Sequence, residues 1–185
     1  VEVELLRDQK IIRINQKNNS GRTIVTGNEI DSWSIFLDGK NQEIKSHILL
    51  DHNNLTGCLT FIDIKISNIN VNTNDTSCED SVNFIRVSGD INTIYVENSK
   101  SDGLDIDFSN VSINSLSFKN IYNDCLDLSF GNYEIINLFA EGCGDKGISV
   151  GEKSNAKLSS IYIKNANVGL AAKDSSLVNI AESRI

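Results

Sequence analysis

The sequence predicts an all-β chain, a right-handed single-stranded parallel β-helix of about seven turns. Three observations predict it: a constant internal repeat, a composition of strand and turn formers, and the absence of any helical pattern. Val82, Leu104, Leu126, Ile148 and Leu170 follow one another at intervals of 22 residues. Two positions on, Phe84, Ile106, Leu128, Val150 and Ala172 repeat the same spacing. An apolar–variable–apolar strand therefore recurs five times, which is the mark of a solenoid. Ile and Asn dominate the composition and Pro and Met are absent. Ile favours strands, and Asn favours tight turns and left-handed backbone.

Each repeat holds more than one strand. Ile94, Leu116, Leu138 and Ile161 form a second apolar column, followed two residues later by Val96, Phe118, Ala140 and Ile163. Ile91, Ile113, Ile135 and Leu158 form a third. Turns fall at Ser109-Asn110, Gly131-Asn132 and Ser154-Asn155. Such a short unit cannot bury its own apolar face. Coiling stacks each turn on the last, with equivalent residues ~4.8 Å apart in parallel ladders around one core. Right-handedness follows from the general preference of parallel crossovers. Leu104, Ile106 and Phe108 then point inward and Asp105 and Asp107 outward, with Phe108 and Phe130 as an internal aromatic stack.

Upstream the period weakens. Residues 55–185 read as regular rungs, with Leu59, Phe61, Ile64, Ile66 and Ile69 alternating as strands. Val71–Ser77 reads as a loop projecting from one corner. Residues 1–54 read as irregular first rungs and a cap, with strands at Val1–Leu6, Lys10–Ile14, Ser32–Leu37 and Ile48–Leu50; an uncapped solenoid exposes sheet edge and core. The whole reads as one domain. The chain begins with Val and ends in a strand-like stretch at Ile185, so it reads as an excised or mature piece, silent on export, whose solenoid is expected to extend further.

A formal net charge of -8 disfavours nucleic acid and anionic membranes as partners. No window approaches the ~20 apolar residues of a spanning helix. Oligomeric state is not indicated.

Carboxylates are the main chemical signal. Asp80, Asp102 and Asp124 share a column at the start of the repeated strand, and Asp105 and Asp127 share the outward column three residues on. Asp107, Asp145 and Lys146 lie nearby. Stacked carboxylates raise one another's pKa or recruit a cation. The Asp80 column is expected to cap turns through backbone N–H groups of the residues that follow. For Asp105, Asp107, Asp127, Asp145 and Lys146 the pattern points to a substrate-binding face on an exposed sheet, with Ca2+ compatible at Asp105 and Asp127 and no cofactor required. A lyase- or hydrolase-type catalytic set would draw on Asp102, Asp105, Asp124, Asp127 and Lys146.

Trp33, Tyr95, Tyr122, Tyr133 and Tyr162 are candidates for stacking on sugar rings, set against ordinary packing roles. Gly144-Asp145-Lys146-Gly147 reads as a tight turn between rungs. Without a CxxC motif zinc is not expected, and Cys58, Cys78, Cys125 and Cys143 read as buried free thiols. A Cys125–Cys143 bridge is geometrically conceivable. His47 and His52 lie in the irregular region, away from any thiol.

The segments Ser101-Asp102-Gly103-Leu104-Asp105-Ile106-Asp107, Asn123-Asp124-Cys125-Leu126-Asp127-Leu128 and Gly144-Asp145-Lys146-Gly147-Ile148-Ser149-Val150 resemble the right-handed parallel β-helix superfamily. That superfamily includes pectate lyases, polygalacturonases and carbohydrate-binding and sugar-hydrolase repeat domains. The resemblance covers roughly residues 79–185, is one of fold, and extends to bacterial surface-associated β-helix domains. The polygalacturonase motifs do not carry over. No Asp-Asp occurs, no His follows His52, and Arg86 is the only Arg between Arg22 and Arg184. A pectate lyase would need Arg or Lys as base beside its carboxylates; Arg86, Lys146 and Lys173 lack that family's spacing. The resemblance implies a carbohydrate-associated module of a bacterial surface or exported protein, binding or structural, with polysaccharide as partner. The alternatives are a polysaccharide-active lyase or hydrolase, and a structural part of a larger enzyme.

Overall fold

A computed structural model describes residues 1–18, 21–40 and 54–185. The strand expected at Ile48–Leu50, and His47 and His52, lie outside the described residues. The strands in chain order are β1 (Glu2–Leu6), β2 (Ile11–Asn15), β3 (Thr23–Thr26), β4 (Glu29–Asp31), β5 (Ser34–Asp38), β6 (Gly57–Ile62), β7 (Lys65–Asn74), β8 (Asp80–Ile85), β9 (Ser88–Ser99), β10 (Asp102–Asp107), β11 (Asn110–Ile121), β12 (Leu126–Ser129), β13 (Asn132–Gly151), β14 (Asn155–Ala172) and β15 (Leu177–Arg184). Among the described residues there is no α-helix, only a 3-10 turn at Arg7–Gln9.

The strands stack in parallel into a β-solenoid of about 7 turns with ~22 residues per rung. Three ladders wrap the core. The first face runs β3, β6, β8, β10, β12 and then the C-terminal ends of β13 and β14. The second is built from β4 and the leading parts of β7, β9, β11, β13, β14 and β15. The third uses the trailing parts of those long strands, with β5 and β2 below them. β1 pairs with β2 antiparallel, the one departure from parallel pairing in the described ladders. Leu104 is in register with Val82 and Leu126, and Leu126 with Ile148, as the repeat requires. Val82, Leu104, Ile106, Leu126, Leu128, Ile148 and Val150 are fully buried.

The corners explain the Asn content. Left-handed residues recur at two of them: Asp63, Arg86, Phe108 and Phe130 after the first face, and Asp75, Asn98, Asn120 and Asn165 after the third. Asn tolerates this backbone, and its amide bonds its neighbour along the axis. Asn120 Nδ2 donates to Asn98 Oδ1 at 3.1 Å, and Asn98 Nδ2 to Asn74 Oδ1 at 3.2 Å. Asn114, Asn92 and Asn70 form a second such line.

Four sequence expectations are corrected. Phe108 and Phe130 are not internal. Both sit at a left-handed corner, where the turn breaks the strand alternation, and stack outside the core with centroids 4.6 Å apart. Val71–Ser77 is not a projecting loop: β7 continues to Asn74, Val71 and Thr73 point inward, and Asp75 takes the corner occupied one rung later by Asn98. Gly144-Asp145-Lys146-Gly147 is not a separate turn but lies within β13, with a shift of register between Cys143 and Lys146. Its backbone passes so close to the rung below that a Cβ on Gly144 would meet Tyr122 O at 1.8 Å. The cysteines are not free thiols. Cys58–Cys78 and Cys125–Cys143 are disulfides with Cα atoms 5.4 and 5.5 Å apart, because chain leaving the third face meets the first face of the adjacent rung.

Candidate functional site

The first face carries the acidic residues on three successive rungs. Its left edge is the Asp80, Asp102, Asp124 column. Asp102 Oδ1 accepts the backbone N–H of Asp124 at 2.9 Å and Asn123 Nδ2 at 2.7 Å. Asp124 Oδ1 likewise accepts the backbone N–H of Lys146 at 2.9 Å. These carboxylates therefore clasp the next rung, rather than capping the residues that follow them in their own strand. Asp124 is buried and pairs with Lys146 Nζ at 3.2 Å. Lys146 also reaches Asp145, and these hydrogen bonds, Asp145's above all, hold its ammonium above the ordinary lysine range. Asp80 is buried, and its Oδ2 has no hydrogen-bond partner. Burial, with Asp102 and Glu79 adding repulsion, pushes its carboxyl up to about 8. Burial pushes Asp102 up to about 6, against the pull of Asp124 N–H and Asn123.

The outward column of the same face reads Thr60, Asn83, Asp105, Asp127, Ser149. Asp105 and Asp127 are register partners, and with Asp107 they are half-buried rather than fully exposed. Asn83 Nδ2 donates to Asp105 Oδ2 at 3.1 Å. Burial, then the carboxylates of Asp80, Asp107 and Asp127, hold Asp105 far above the ordinary range. Burial likewise raises Asp107 and Asp127, the latter opposed by Lys173. Asn83 and Ser149 are only 1% and 0% exposed. The Ser149 hydroxyl lies beside its register partner Asp127 and opposes the upward shift of that carboxyl.

The face thus brings together Asp102, Asp105, Asp107, Asp124 and Asp127, while Asp145 and Lys146 belong to the clasp at its edge. Asn83 and Ser149 were not singled out from the sequence, although they stand in the Asp105/Asp127 column and the repeat itself marks them. For calcium, the column offers the Asp105 and Asp127 carboxylates. Asn83 turns an amide N–H toward Asp105, and among the described residues no group of three or more His, Cys, Asp or Glu side chains converges as a metal cage. Arg86 is not aimed at the face; it pairs with Asp63 at 2.7 Å on the corner. Of the aromatic candidates, Tyr133 is buried, with its hydroxyl between the carbonyl oxygens of Ser129 at 2.6 Å and Ile106 at 2.9 Å and one proton to donate between them, a packing role. Trp33 packs against the core. Tyr122 is 78% exposed, and Tyr95 and Tyr162 lie on the outside of the third face.

Comparison with family models, with curated proteins and with solved structures gives no match.

Proposed function

We propose that this β-solenoid is a glycan-binding module of an exported or cell-surface protein, and that its binding face is the half-buried Asp105, Asp107 and Asp127 of the first face, backed by the buried Asn83 and Ser149. The observation that carries this reading is the group of half-buried carboxylates Asp105, Asp107 and Asp127 on one face, each raised by burial. Sugar hydroxyls both donate and accept, so they can bond these carboxyls in either protonation state. Carboxyls with raised pKa suit a neutral ligand, because in protonated form they donate as well as accept. Two disulfides support an oxidising compartment outside the cytosol.

One observation favours a catalytic reading. A carboxyl at about 6, as at Asp102, lies in the range of a general acid. The lyase version lacks its base, since Lys146 is held protonated by Asp124 and Asp145. The binding reading is therefore preferred. A panel of immobilised polysaccharides tests it. The parent should be retained by at least one glycan, and Asn83→Ala and Asp105→Asn/Asp127→Asn should lose that retention while remaining folded. Retention that survives both variants, or no retention by any glycan, would leave a purely structural module.

A further inference from the structure

The outside of the third face carries an aromatic ladder with one member missing. Tyr95, Ser117, Phe139, Tyr162 and Arg184 occupy one outward column on successive rungs. The last three form a stack. The Phe139 and Tyr162 rings are stacked, with centroids 5.2 Å apart and planes parallel to within 1°, and the Arg184 guanidinium stands 5.7 Å from the Tyr162 centroid. One face of Phe139 is covered by Tyr162. The other looks along the column to Ser117, whose side chain is too short to cover it, and Phe139 remains 43% exposed. The next ring is Tyr95, held in place by donating its hydroxyl to Glu97 Oε2 at 2.7 Å.

Tyr95 and Phe139 are two rungs apart, so the gap over Ser117 spans about 9.6 Å, twice the ladder spacing. A ring placed there would lie about 4.8 Å from each neighbour. That matches the protein's own stacks, 4.6 Å for Phe108–Phe130 and 5.2 Å for Phe139–Tyr162. One wall is the free ring face of Phe139, and the other is the Tyr95 side chain. The floor and rim are polar: the Ser117 hydroxyl, Ser115 one position along the outer surface, and Lys119, whose ammonium is bound to Glu97 at 2.7 Å. A ligand suited to this slot has two apolar faces and a hydrogen-bonding edge, which describes a pyranose ring better than a flat hydrocarbon.

We infer that the Tyr95–Ser117–Phe139 slot holds one pyranose ring of the glycan, as a subsite on a different face from the acidic column. This rests on the glycan reading, and the test separates the two. Ser117→Tyr completes the aromatic ladder and fills the slot; Ser117→Ala keeps it open; Phe139→Ala removes one wall. The probe is a set of short neutral and acidic pyranose oligosaccharides, titrated by NMR with indole as a flat-ring control. Sugar C–H signals should move upfield through ring currents. Ser117→Tyr and Phe139→Ala should each weaken binding by about tenfold, the scale of one lost aromatic contact, while Ser117→Ala stays near the parent. Full affinity in Ser117→Tyr and Phe139→Ala, with loss in Asp105→Asn/Asp127→Asn, would overturn the slot and leave the acidic face standing. No binding of any oligosaccharide to the parent would overturn both. Indole binding where sugars do not would assign the slot to an aromatic side chain of a protein partner and overturn the sugar.

Discussion

The Asp102 carboxylate accepts the backbone N–H of Asp124, one rung above it, at 2.9 Å. Asp124 repeats the contact with Lys146 and adds an ion pair through the same side chain. Each acid thus uses its charge to fasten the next coil. Asp124→Ala leaves the Lys146 N–H without its acceptor and Lys146 with Asp145 alone. Loss of about 1–3 kcal/mol is expected, read as a lower urea midpoint at unchanged slope. Asp124→Asn, which keeps the acceptor oxygen, should lose less.

The interior obeys ordinary core energetics. Leu126 is fully buried between Leu104 and Ile148 in the inward column. Leu126→Ala should cost about 2–5 kcal/mol, measured by chemical denaturation. Asp127→Ala, one position along on the outward column, should not show a loss of that size.

The inward phase of residues 79–172 was legible because the first-face column holds its period of 22 from Val82 to Leu170 and a one-residue slip would turn its apolar side chains to solvent. The corners were not legible. Phe108 looks like the third member of Leu104-Ile106-Phe108, but a left-handed residue at the turn throws its ring outside. Val71–Ser77 reads as an excess loop when Asn68 is matched with Asn98, whereas Asp75 holds that corner and Asn74 pairs with Glu97. The disulfides carry a spacing signal, which made the Cys125–Cys143 bridge conceivable and applies equally to Cys58–Cys78: the pairs are separated by 18 and 20 residues, each just short of one rung. Of the acidic site, the column and its members were legible. The clasping of adjacent rungs by Asp102 and Asp124, and the burial of Asn83 and Ser149, depend on three-dimensional stacking.

Both disulfides close loops of about one coil. A loop of ~15 residues corresponds to about 3 kcal/mol in the chain-entropy account. Cys125→Ser/Cys143→Ser should therefore destabilise by about 2–4 kcal/mol, and reduction should lower the melting temperature of the parent more than that of this variant, which has one bridge left to lose.

The acidic face should make the fold more stable in mild acid. Asp80 is pushed up to about 8 and Asp102 to about 6, above the unfolded value near 3.9. Between those limits the folded chain binds more protons than the unfolded one, so stability rises as pH falls from about 8 toward 4. Melting temperature against pH should show this slope. Asp105→Asn/Asp127→Asn should be more stable than the parent at pH 8 and lose part of the slope, because Asp105 and Asp127 are raised by burial and mutual repulsion. A rise in the parent's melting temperature on adding calcium, abolished in this variant, would instead show that a cation offsets the repulsion.

The proposed glycan-binding role of the first face is tested most directly by mapping a bound glycan onto isotope-labelled protein. With the best-retained polysaccharide fragment, the backbone amides of Asn83, Asp105, Asp127 and Ser149, and the side-chain amide of Asn83, should show the largest shift changes on the first face. Perturbations that leave all five unmoved while the glycan is bound, or changes confined to the second face, would contradict the assignment of this column as the binding site.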